Sequence, residues 1–112
     1  MILLGDLLYD GRVRREALSL SQQGYQVTVI TVPKVVRSLS GLDGVQVRQV
    51  LLLTRRLFAS ARGLRAKYGE FVVRTAARAV GQRADAYHAH DLPALLPAYI
   101  AARINRARLV YD

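Results

Sequence analysis

The chain has 112 residues, a net charge of +9 from 17 Lys and Arg against 8 Asp and Glu, 52% hydrophobic residues, no Cys and no Trp. That is too apolar for a disordered tail, and the uninterrupted apolar runs fall far short of the about 20 residues that a membrane span needs. Without Cys there is no disulfide framework, thiolate metal site, iron–sulfur cluster or cysteine nucleophile, and one globular domain is expected.

Residues 2–5 form a short apolar run that suits a buried strand, and the loop that follows places Asp10 to cap a helix. Asp6 interrupts the apolar start and no basic segment precedes it, so a secretory signal is not expected and the chain is placed in the cytoplasm. A helix is predicted over residues 11–23, with Val13, Ala17 and Leu20 on one stripe and Gly24 as its stop. Residues 25–32, rich in β-branched side chains and closed by Pro33, read as a second strand, which completes a βαβ unit. A loop with Ser38, Ser40, Gly41, Asp43 and Gly44 leads to residues 45–51, whose alternation predicts a third strand near a sheet edge. Residues 57–82 read as a helix that Gly63 and Gly69 divide or bend. A strand over residues 84–90, a helix over Leu92–Asn105 opened by Pro93, and a strand over Arg108–Tyr111 complete the chain.

Alternating strands and helices predict a doubly wound, mostly parallel, Rossmann-like α/β sheet, whose ligands bind beyond the carboxyl ends of the strands. Residues 5–11, the stretch from His88 to Asp91, and Asp112 fall there. In a strand His88 and His90 share a face. One reading of them is metal binding with an oxygen from Asp91, but the chain has only two His and no neighbouring residues complete a metallohydrolase pattern, so no metal is expected. The other reading puts His90 in the ligand crevice as a hydrogen-bonding or acid/base group with His88 deeper, while Asp91 caps the next helix. Gly11, Arg12 and Arg15 stand at a helix N-terminus suited to an anion, although either Arg equally suits pairing with Asp10 or Glu16. There is no G-x-G-x-x-G, no P-loop and no G-x-S-x-G elbow.

Nine cations (Arg48, Arg55, Arg56, Arg62, Arg65, Lys67, Arg74, Arg78 and Arg83) against Glu70 alone concentrate almost all of the net charge in residues 48–83. Such a block suits a polyanion or an anionic membrane surface, with Leu57, Phe58, Leu64 and Phe71 as an apolar face. It equally suits a solvated helix face with its aromatics in the core. No RNA-recognition or zinc-finger motif accompanies it, so nucleic acid is not the expected partner.

Five segments in order carry a family resemblance: Asp10-x-Arg12-Val13-x-x-Glu16-Ala17-x-Ser19-Leu20, Gly24-Tyr25-x-Val27-Thr28-Val29-Ile30, Asp43-Gly44-Val45-x-Val47, Ala84-Asp85-x-Tyr87-His88-Ala89-His90-Asp91-Leu92, and Leu109-Val110-Tyr111-Asp112. Together they resemble the N-terminal half of a GT-B glycosyltransferase of the family 4 type. The resemblance implies two Rossmann-like domains that transfer a sugar from a nucleotide-sugar donor with retention, without a metal or other cofactor. It implies a catalytic role for His90, facing the donor sugar, and donor or acceptor contacts for Gly11, Arg12, Arg15 and Asp91. The Gly-Gly pair that many members carry in the first loop is missing here.

On this reading residues 1–112 are a partial acceptor-side domain and the donor-binding domain, with its E-x7-E motif, is absent. The chain is expected to be a fragment, a truncated frame or part of a split enzyme, and inactive alone. Expected contacts are the nucleotide-sugar, the acceptor, an anionic membrane at the inner face through Arg55, Arg56, Arg62 and Arg65, and further copies of the chain through an exposed sheet edge. The alternative is a non-catalytic module that binds polyanions or anionic membranes through residues 48–83.

Overall fold

The structure, a computed structural model, describes residues 1–33, 41–53 and 63–112. Its elements are β1 (Ile2–Leu3), α1 (Gly11–Gln22), β2 (Val27–Thr31), β3 (Val45–Gln49), α2 (Leu64–Gln82), β4 (Ala86–Ala89), α3 (Leu92–Asn105) and β5 (Arg108–Tyr111). The strands form one sheet in the order β3-β2-β1-β4-β5 with every pairing parallel. This is a doubly wound, Rossmann-like arrangement, as the alternation of elements predicts.

Helix α1 starts where the Asp10 carboxylate accepts from the Val13 N–H at 3.1 Å, and it buries Val13 and Ala17, one turn apart. It ends before Gly24, whose φ of +94° suits a residue without Cβ. Below it, Leu3, Leu7, Val27, Val29 and Leu42 make the core of one sheet face. The other face packs Ile2, Ile30, Tyr87 and Ala89 against Phe71 and Ala79 of α2 and against Ala94, Ala98 and Ala101 of α3. Small residues on α3 let that helix lie close to the sheet.

Proline at position 97 lies inside α3 and is buried. Lacking an N–H, it leaves the carbonyl four residues earlier without a helical donor. That carbonyl, of Pro93, accepts instead from the Tyr68 hydroxyl of α2 at 3.1 Å. Tyr68 is thus a contact between helices, and Phe71 is 1% exposed. Phe71 is therefore not available for the apolar membrane-facing surface considered above, and Leu57 and Phe58 lie outside the described residues. No helix among the described residues is long and apolar enough to cross a membrane.

Several boundaries differ from expectation. Strand β1 ends at Leu3 rather than residue 5, because the Leu4 N–H turns to the Asp91 carboxylate at 3.0 Å instead of a ladder partner. Helix α2 begins after Gly63 and continues through Gly69, with residues 57–62 outside the described residues. Strand β3 pairs only with β2, at the expected edge, and β5 forms the opposite edge with all four residues exposed.

Candidate functional site

The order of the strands reverses between β1 and β4, the helices that follow them pack on opposite faces of the sheet, and a crevice lies beyond their carboxyl ends. It encloses about 300 Å³ and is lined by Leu3 to Asp6, Tyr9, Asp10, Arg12, His90 and Asp91. Register holds its two sides level: Ile2 pairs with Ala89, and the His90 N–H donates to the Ile2 carbonyl at 3.1 Å. The loop leaving β1 is pinned from β2, where Thr31 Oγ1 donates to the Gly5 carbonyl and the Val32 N–H donates to the same oxygen.

Of the residues expected here, Gly11 and Arg12 open α1 at the crevice mouth. The Arg12 guanidinium donates to the His90 carbonyl at 3.2 Å, so it clasps α1 to the end of β4 rather than pairing with Asp10 or Glu16. Arg15 is exposed one turn further along, near Gly11. Asp91 does cap α3, accepting from the Ala94 N–H at 2.8 Å, and its other oxygen accepts from Leu4. One oxygen of this carboxylate thus starts α3 while the other ties it to the end of β1 across the crevice.

His88 and His90 point to the α1 face, as their spacing requires, while Tyr87 and Ala89 enter the core beneath α2 and α3. The two imidazoles stack with centroids 4.0 Å apart. Their depth is the reverse of expectation: the His90 side chain is 0% exposed and that of His88 is 17% exposed. Glu16 of α1 meets both, with Oε1 3.1 Å from His88 Nδ1 and Oε2 4.0 Å from His90 Nδ1. Asp112, beyond β5, brings Oδ2 to 3.9 Å from His90 Nδ1.

Neither ring nitrogen of His90 has a hydrogen-bond partner among the described residues. Burial pushes its pKa down to about 4, reinforced by the neighbouring His88, the terminal amine and Arg12 and opposed by Asp112. The ring is neutral at pH 7. The Met1 amine, buried where it donates to the Thr28 carbonyl at 2.9 Å, is likewise lowered to about 6, with Glu16 opposing.

Glu16 carries no sequence signal as a partner of this pair, and for Asp112 the sequence gives only its place with His88–Asp91 at the carboxyl ends of the strands. One sits in a helix stripe and the other after a strand, and only the parallel order β1-β4-β5 with α1 across it joins them.

A second cavity of about 520 Å³ lies between the end of β3 and α2, lined by Gln49, Val50, Leu51, Arg74, Ala77 and Arg78. Arg74 pairs with Glu70 at 3.0 Å. Arg65 is exposed at the start of α2, whereas Arg55, Arg56 and Arg62 lie outside the described residues.

Fold and crevice together define a Rossmann-like α/β domain with a crevice at the switch point of its sheet. Compared with protein-family models, with curated proteins and with solved structures, the chain matches none.

Proposed function

We propose that the chain is the acceptor-side domain of a retaining sugar transferase that uses a nucleotide-sugar donor, with the donor-binding half supplied from outside these residues. The observation that carries this reading is convergence. Segments that resemble the family 4 glycosyltransferases, far apart in sequence, meet at one crevice: Asp10 and Arg12 from the start of α1, His90 and Asp91 from the end of β4. A neutral imidazole on the floor and a guanidinium beside a helix N-terminus suit a sugar and an anionic group side by side.

In this reading His90 contacts the sugar, Gly11, Arg12 and Arg15 serve the donor phosphates or the acceptor, and Asp91 acts by holding the crevice walls. Because the His90 side chain is 0% exposed, contact with the sugar in this reading requires the crevice to open further around that ring. Self-association through the exposed β5 edge belongs to the same reading, because an unpaired parallel edge invites another strand.

The test is to follow the reading frame on both sides of residues 1–112 and express the protein it encodes. A second α/β domain with E-x7-E, nucleotide-sugar turnover, and a His90→Ala variant that loses turnover far more than stability support the reading. Equal loss of both overturns the role of His90.

A second reading rests on the exposed Arg48, Arg65 and Arg78, which suit a polyanion or an anionic membrane at the inner face of the cell. Absence of turnover together with steeply salt-dependent binding to anionic vesicles favours it.

A further inference from the structure

Behind the crevice floor, Glu16 from α1, His88 and His90 from β4 and Asp112 after β5 bring four ligand atoms within 4.8 Å of one another. We propose that these four side chains hold one divalent transition-metal ion of the zinc class. The proposal shares His90 with the sugar-transferase reading but is argued from other observations, and it adds a site to the same domain.

The spacings are those of an ion-sized gap. A nitrogen and an oxygen each about 2.0–2.2 Å from a shared ion stand about 3–4 Å apart, depending on the angle between them. His88 Nδ1 and Glu16 Oε1 stand 3.1 Å apart, and His90 Nδ1 stands 4.0 Å from Glu16 Oε2 and 3.9 Å from Asp112 Oδ2. The last two distances are too long for hydrogen bonds, whose N···O distances end at about 3.2 Å.

The second observation is independent of the cluster. His90 is 2% exposed, yet both of its ring nitrogens lack a partner among the described residues, and so does Nε2 of His88. Buried imidazoles normally find a partner, and the two carboxylates that stand just beyond hydrogen-bond reach of His90 suit a cation in that place.

The donor set selects the ion. Two imidazoles and two carboxylates suit zinc, cobalt, nickel or ferrous iron, whereas magnesium and calcium prefer oxygen throughout. The histidines are set by the strand and by their stacking. Glu16 and Asp112, with side chains 32% and 49% exposed, are the members free to close in. The Asp112 N–H, donating to the Ala89 carbonyl at 3.1 Å, keeps that carboxylate in reach. The Arg12 guanidinium is engaged by the His90 carbonyl. An ion here fastens α1 and the end of β5 to β4 and fixes the His90 ring under the crevice.

The experiment uses the untagged 112-residue chain, so that its two histidines are the only imidazoles present. After chelator treatment and dialysis it is titrated with Co²⁺ and followed by visible absorption, then with Zn²⁺, and thermal unfolding is compared with and without metal. One Co²⁺ per chain, an absorption band displaced by Zn²⁺ but not by excess Mg²⁺, and a raised Tm are expected. His90→Ala abolishes the band, and Glu16→Gln and Asp112→Asn, both at accessible positions, each weaken binding about tenfold or more. Far-UV circular dichroism confirms that these two variants are folded. The proposal is overturned by no equimolar binding, by binding that survives His90→Ala, or by equal binding to the urea-unfolded chain.

Discussion

The Tyr87 hydroxyl joins three elements. It donates to the Ala79 carbonyl of α2 at 2.7 Å and accepts from Asn105 Nδ2 of α3 at 2.6 Å and from the Ala84 N–H at 3.3 Å. Asn105 also donates to the Val80 carbonyl at 2.9 Å, so carbonyls in the last turn of α2 gain donors from outside the helix. Tyr87→Phe keeps the ring and removes the oxygen, leaving buried polar groups without a partner. It is expected to lower unfolding free energy by about 2 kcal/mol in a urea titration, and an unchanged midpoint would show that the network contributes nothing net. In sequence Tyr87 reads only as a strand aromatic. The pair Tyr87 and Asn105 is invisible there because the two residues meet only when α2, β4 and α3 pack.

At the scale of elements, the joint between β1 and α3 depends on one carboxylate. Asp91 is legible as a cap from Asp-Leu-Pro, but its bond to Leu4, 87 residues away, is not. Asp91→Ala removes both bonds, so the expected loss is about 2–3 kcal/mol, more than the about 1 kcal/mol of an ordinary cap. Asp91→Asn keeps one acceptor oxygen and should recover at least half of that loss. A loss for Asp91→Ala no larger than the about 1 kcal/mol of an ordinary cap would mean that the Leu4 bond carries no weight. Helices α1 and α3 were legible because caps and stops are local, whereas the end of β1 was not, because a distant side chain decides it. Pro97 shows the same limit: the carbonyl that this buried proline leaves without a helical donor is met by Tyr68 of another helix.

For the molecule as a whole, burial of two basic groups couples stability to pH. The unfolded chain takes up a proton on the Met1 amine near pH 8.0 and on His90 near 6.5, whereas the folded chain does so near 6 and 4. Between each pair of values the unfolded state binds more protons. The contribution is therefore fully present above pH about 8 and is lost as pH falls, first through the amine window and then through that of His90, by at most about 1.4 kcal/mol per unit for each group. Urea unfolding in the presence of a chelator should show a midpoint that declines from pH 8 to pH 4, with His90→Phe flattening the lower half of that range. A flat profile in the unsubstituted chain would contradict the burial of His90.

By itself the sequence determined the Rossmann-like alternation, the capped helices, the edge position of β3 and the shared face of His88 and His90. Each of these follows from periodicity or from contacts within a few residues. Only the tertiary structure decided that His90 is the deeper of the pair, that Arg12 clasps the His90 carbonyl, and that Glu16 and Asp112 stand around the imidazoles. Those facts depend on the order β3-β2-β1-β4-β5, which sets residues from α1, β4 and the end of β5 side by side. Local propensity carries no record of which distant strand becomes a neighbour.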